Sequence, residues 1–114
     1  MYYITKRMEI AGCHHLHLPY PSKCTHLHGH NWIITIHCKS RELNAEGMVA
    51  DFTEVKERIH GQLDHANLNE VVPFNPTAEN MARWICDQIP HCYRVDVQES
   101  EGNTATYERD GDEN

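Results

Sequence analysis

The sequence predicts an α+β fold: an antiparallel sheet of two hairpins with two helices on one face, in the order β-β-α-α-β-β. Three observations carry that expectation. A long period-two alternation opens the chain and resumes at His28. Two segments in the middle switch to helical spacing, and period two returns from Tyr93 on either side of a glycine turn.

In the opening segment Tyr2, Ile4, Met8 and Ile10 share one parity, while Tyr3, Thr5, Arg7 and Glu9 share the other. This describes a half-buried strand with Lys6 as its one misfit. Carried through Gly12, the apolar parity brings His14 to the buried side. LPYPSK holds two prolines and must leave the strand as a loop. From His28 the alternation resumes, with His28, His30, Trp32, Ile34, Ile36 and Cys38 facing one way and Gly29, Asn31, Ile33, Thr35 and His37 the other. Antiparallel pairing of the two strands would set His14 near His28 and His30.

After the polar connection SRELNAEG, the segment DFTEVKERIHGQL places Phe52, Val55, Ile59 and Leu63 at helical spacing. Asp51 is its N-cap, with Glu54 three residues later in a capping-box start. LDHANLNEVVPFNP reads as an irregular crossing. TAENMARWICDQI is a second helix capped by Thr77, its inner stripe traced by Met81, Trp84, Ile85, Gln88 and Ile89. Tyr93, Val95 and Val97 line one face of a third strand, with Glu99 next in that parity. A turn at Glu101, Gly102 and Asn103 leads into TATYE as the fourth strand. Residues 1–107 are read as a single domain and 108–114 as an acidic, solvated tail.

With 114 residues the chain is long enough for one domain and too short for two. A net charge of −7 without a basic stripe argues against nucleic-acid binding. No apolar run approaches the roughly 20 residues that span a bilayer, and the N-terminus has no signal-like core, so a cytoplasmic protein with no membrane partner is expected. Five scattered cysteines, an odd number, read as reduced thiols rather than a disulfide scaffold.

The chemistry-bearing residues are concentrated in few places. Residues two apart on a strand point the same way, about 6.5 to 7 Å apart, so His28 and His30 can chelate one ion, and His14 would make a third imidazole. Three neutral nitrogens with an open position describe a catalytic zinc site better than a closed structural one. The competing reading is a set of solvated histidines, against which stands their apolar parity. Three readings of Cys24 remain open: a fourth ligand, a base or nucleophile beside the metal, or a plain loop cysteine. Asp64 and His65 are adjacent, and in an irregular segment the carboxylate can orient the imidazole as a proton relay, although most such dipeptides are inert. Glu99 stands where a core residue is due; it is either an exposed strand end or a rim carboxylate awaiting a ligand with parallel N–H groups.

GCHHL (12–16), KCTHLHGH (23–30), GMVADF (47–52), LDHANLN (63–69), NPTAEN (75–80) and QES (98–100) together resemble the 6-pyruvoyltetrahydropterin synthase/QueD family, from about Met8 to Tyr107. The resemblance implies the tunnelling fold, trimers forming a twelve-stranded barrel, and homohexamers with active sites between subunits. It implies zinc on His14, His28 and His30, Cys24 as catalytic base, Asp64 with His65 as a catalytic pair, and Glu99 as the anchor of a pterin. The first motif departs from the family's usual FxAAHxL, reading IAGCHHL, and the anchor motif is QES where ET is commoner. Three residues between Cys24 and the His28-Gly29-His30 motif resemble the bacterial 6-carboxy-5,6,7,8-tetrahydropterin synthase branch of queuosine biosynthesis; the biopterin branch has five. The implied activity is that of a lyase acting on 7,8-dihydroneopterin triphosphate. Lys23, beside Cys24, is either a contact for the triphosphate or, as is commoner, a solvated lysine. The implied alternatives are 6-pyruvoyltetrahydropterin synthase itself and a non-catalytic zinc- or pterin-binding member of the fold.

Overall fold

The computed structural model describes residues 1–111. Strands β1 (Tyr2–His14) and β2 (His28–Ser40) pair antiparallel over their whole length, from Tyr2 opposite Ser40 to His14 opposite His28. Helix α1 (Phe52–Leu63) follows, then β3 (Ala66–Asn67), the single-turn α2 (Leu68–Val71), α3 (Ala78–Gln88), β4 (Cys92–Ser100) and β5 (Asn103–Glu108). The sheet order is β3-β1-β2-β4-β5. The expected α+β order is present, with two long helices over one face of two hairpins.

The sheet is mixed rather than purely antiparallel. β3 pairs parallel with β1, Gly12 opposite Ala66 and Cys13 opposite Asn67. This strand and α2 lie in the stretch read as an irregular crossing. They are too short for periodicity to reveal, and only their contact with β1 makes them regular.

Burial follows the expected parity in the first hairpin. Met8, Ile10, His14, Trp32, Ile34, Ile36 and Cys38 are buried, whereas Thr5, Arg7 and Glu9 face solvent. Tyr2, at the strand's start, is exposed instead of joining the apolar face. α1 packs through Val55, Ile59 and Leu63, while Phe52 at its first position stays half exposed. Asp51 caps α1 through the Thr53 N–H at 2.8 Å, one residue before the bond a capping box makes. Thr77 caps α3 through the Asn80 N–H.

The inner face of α3 is rotated from its expected position. Ala78, Met81, Ala82, Ile85 and Cys86 are buried, and Trp84 and Gln88 are only half covered. Small Ala82 and Cys86 side chains on the sheet side let the helix approach closely, and the large indole is left at the margin. A bulge where Cys38 meets Cys92 breaks the parity of β4, so that Cys92, Val95 and Val97 are buried and Tyr93 is not. Tyr93 lies edge-on to Tyr3, ring centroids 6.1 Å apart.

Gly102, with φ +84°, makes the tight turn between Ser100 and Asn103. At the C-terminal side β5 takes in Tyr107 and Glu108, and Arg109 donates to the carbonyls of Cys86 and Cys92 and pairs with Asp87 at 3.0 Å. The remainder of the expected tail, residues 112–114, lies outside the described residues. All five cysteines are free, with Cys38, Cys86 and Cys92 in the core. No helix among the described residues is long and apolar enough to cross a membrane.

Candidate metal centre

Antiparallel register does most of the assembly. The strand alternation puts His14, His28 and His30 on the covered side of the sheet, and the pairing of His14 with His28 brings three imidazoles to one end of the first hairpin. Their ring centroids are 4.6, 4.8 and 5.3 Å apart. One ligand atom from each falls within 4.8 Å of the other two, and among the described residues no other histidine, cysteine or carboxylate completes such a group. Cys24 is not a member of this group.

Hydrogen bonds decide which nitrogen of each ring is free. His14 Nδ1 lies 2.8 Å from the Pro76 carbonyl and His28 Nδ1 lies 2.7 Å from the His26 carbonyl. A carbonyl only accepts, so each Nδ1 carries the proton and each Nε2 keeps a lone pair for a ligand. The Nε2 atoms of His14 and His30 are buried without any hydrogen-bond partner. Orphaned polar atoms in a core are costly, and His14 is wholly buried. A metal ion would satisfy both, so the donor set fits one. Burial pushes the His14 imidazole below its ordinary value, against the Pro76 bond, with neighbouring His28 and His30 adding to the fall and Glu99 opposing it. His30 is lowered by burial as well, again opposed by Glu99. In both, burial favours the neutral form, which is the one that binds metals.

Glu99 reaches this group from β4. Its Oε1 is 3.4 Å from His30 Nε2 and its Oε2 3.8 Å from His14 Nε2. Glu99 continues the parity of buried Val95 and Val97, and a register shift between Gln98 and Ser100 places it on a bulge. Trp32 packs edge-on to both His14 and His30 and donates its indole N–H to the Gly12 carbonyl at 3.1 Å.

Cys24 sits in a 3₁₀ turn, Lys23–Thr25, on the loop that leads into β2. Its N–H donates to Ser22 Oγ at 3.1 Å, and its carbonyl accepts the Leu16 N–H at 2.8 Å, which ties the loop to the chain just beyond His14. The thiol is half-buried, and the neighbouring Lys23 is exposed.

Asp64 and His65 are held at the other edge of β1. The Ala11 N–H donates to Asp64 Oδ1 at 2.9 Å, and the Ala11 carbonyl accepts the His65 N–H at 2.6 Å, so the backbone of one residue clamps the pair. His65 has φ +58°, a left-handed conformation that a non-glycine residue adopts at a cost. That conformation lets its Nδ1 donate to Asp64 Oδ2 at 2.9 Å, a bond that neighbours in a regular element do not make. The Ala11 N–H holds the Asp64 carboxyl below the usual carboxylate range; partial burial opposes this, and His65 and His60 reinforce it. The His65 side chain is 83% exposed.

Several positioning groups had no signal in the sequence pattern. The carbonyls of Pro76 and His26 and the peptide of Ala11 are main-chain atoms that any residue could supply. His60, one helical turn before Asp64, places Nε2 3.7 Å from Asp64 Oδ2, and that i,i+4 spacing was legible in the sequence.

A family model described as 6-pyruvoyl tetrahydropterin synthase matches residues 3–110. The chain is 27% identical over 121 residues to the 6-carboxy-5,6,7,8-tetrahydropterin synthase of Bacillus subtilis, covering 91% of this chain and 83% of that protein. It is 33% identical to the 6-pyruvoyl tetrahydrobiopterin synthase of Drosophila melanogaster over 92% of this chain and 78% of the other. The solved structure of the Caenorhabditis elegans 6-pyruvoyl tetrahydropterin synthase shares the fold, with a TM-score of 0.76 over 95% of both chains at 23% identity.

Proposed function

We propose, from the premise that the chain belongs to the 6-pyruvoyl tetrahydropterin synthase family, that it is a zinc-dependent 6-carboxy-5,6,7,8-tetrahydropterin synthase. It would convert 7,8-dihydroneopterin triphosphate and water to the 6-carboxy product, acetaldehyde and triphosphate. The supporting observation is the convergence of three imidazoles, two of them with orphaned buried Nε2 atoms, beside the carboxylate of Glu99. Two facts favour this branch: the three-residue interval between Cys24 and His28, and the name of the Bacillus subtilis relative.

His14, His28 and His30 would hold zinc, which supplies a Lewis acid that polarises the oxygens of the substrate side chain. The protein groups divide the remaining work. Glu99 accepts hydrogen bonds from the amino group and ring N–H of the pterin, fixing its orientation. The Cys24 thiolate removes a proton from the substrate side chain. Asp64 keeps the Nδ1–H of His65 engaged, so that Nε2 of this exposed side chain accepts and returns protons while triphosphate departs and the side chain is cleaved. Assembly as a homohexamer with sites between subunits belongs to the same proposal, and light scattering on the purified protein checks it.

The direct experiment supplies 7,8-dihydroneopterin triphosphate to zinc-loaded protein and analyses the products. Acetaldehyde with a 6-carboxy pterin is expected. A retained pyruvoyl side chain without acetaldehyde would reassign the chain to 6-pyruvoyltetrahydropterin synthase activity. Binding of the pterin without turnover, at full metal occupancy, would make it a binding protein.

A further inference from the structure

Beyond the three histidines of the candidate centre, the chain carries a second His-x-His pair, His15 and His17, directly after β1. Side-chain amides hold this segment in extended form. Asn69 accepts the His15 N–H at 2.8 Å and donates to the His15 carbonyl at 3.0 Å. Asn75 treats His17 in the same way, at 2.9 and 3.2 Å. Between them Leu16 donates in the opposite direction, to the Cys24 carbonyl. Two asparagines thus stand in for a neighbouring strand, and both histidine side chains project to the same side.

The resulting ring geometry matches that of the first pair. The centroids of His15 and His17 are 4.9 Å apart, against 4.8 Å for His28 and His30. Both rings line an open cavity of about 350 Å³ with Asn69, Asn75 and Phe74. Among the described residues neither ring has a hydrogen-bond or ion-pair partner, whereas His14 and His28 each spend one nitrogen on a carbonyl. The fixed backbone removes most of the ordering cost that a flexible histidine pair would meet on chelation.

We propose that His15 and His17 form a second metal site, a solvent-facing two-nitrogen chelate for a borderline divalent cation such as Cu²⁺ or Ni²⁺. Two imidazoles leave the other coordination positions to water, so the ion exchanges readily. Imidazole donors favour Cu²⁺ and Ni²⁺ over Mg²⁺ and Ca²⁺. The site is separate from the three-histidine group, because His15 and His17 have the opposite parity to His14.

The test titrates zinc-loaded protein with Cu²⁺ and follows nitrogen coordination by electron paramagnetic resonance and the stoichiometry by calorimetry. One further equivalent bound through two nitrogens is expected. His15→Gln and His17→Gln should each weaken it by at least about tenfold, since each removes one of two donors, with zinc content unchanged. His26→Gln should leave it intact. The same titration in a His28→Ala/His30→Ala chain separates this site from the zinc reading: the Cu²⁺ event persists there if the pair binds on its own. Absence of a second equivalent in the zinc-loaded protein, or its survival in the His15→Gln/His17→Gln double variant, would overturn the proposal.

Discussion

His14 and His28 stand directly opposite each other across β1 and β2, ring centroids 4.6 Å apart, each with Nδ1 bound to a main-chain carbonyl. The arrangement leaves both Nε2 atoms free for a common ligand without demanding any movement of the sheet. Preorganisation of this kind converts the affinity of the donors into occupancy with little reorganisation cost.

Zinc should therefore stabilise the fold. An ion at 100 times its dissociation constant adds about 2.7 kcal/mol to a native state that alone binds it. Differential scanning calorimetry with and without zinc is expected to show a higher midpoint for the native chain and no zinc response for His14→Ala. An equal response in the variant would remove His14 from the ligand set.

Cys24 is expected to matter for turnover and not for metal. It lies outside the three-histidine group, and general base catalysis contributes on the order of 10² to 10⁴ in rate. In Cys24→Ala, kcat should fall by about that factor while the zinc-to-protein ratio stays the same. Undiminished turnover would sink the base assignment, and lost zinc would recast the thiol as a ligand.

Gly12 is a packing constraint on the same site. A Cβ there would meet Trp32 Nε1 at 3.4 Å and Leu68 Cδ2 at 3.5 Å, and Trp32 is the residue that packs against His14 and His30. A Cβ alone makes ordinary contact at these distances, so the added methyls of Gly12→Val would press on the indole and on Leu68. A loss of about 1–3 kcal/mol in urea unfolding, together with weakened zinc binding, is expected.

Asp96 sets an acid limit on stability. Partial burial works to raise its pKa, but the Thr106 hydroxyl, His37 and Arg94 donate to the carboxylate and prevail, holding it below its ordinary 3.8. The folded value thus lies below the unfolded one. The stability it confers is present above about pH 4 and is lost as pH falls through the folded value. Unfolding free energies measured between pH 2 and pH 7 should decline less steeply on the acid side for Asp96→Asn, and an unchanged slope would remove Asp96 from the acid response.

How much of the site was legible follows from what each part depends on. His28 and His30 needed only the period of a strand, and His14 needed only the parity of the strand before it. The Asp64–His65 bond required a backbone twist at φ +58° that no pattern of residue types announces. Glu99 could be placed at the rim by parity, but its approach to His30 required the pairing of β4 with β2. Trp84 packs at the margin of the core and Tyr93 lies outside it for a related reason: helix rotation and strand bulges are settled by packing partners, which periodicity does not contain.

The sequence by itself determined the order of the long elements, the face on which the histidines lie, and the motifs that carry the family. Side-chain alternation is a local property of the backbone, so it can be read residue by residue. Only the tertiary structure decided which imidazole nitrogens are free, that β3 and α2 exist, and that Ala11 clamps the Asp64–His65 pair. Those outcomes depend on main-chain atoms brought together from distant parts of the chain, and main-chain atoms are the same in every residue.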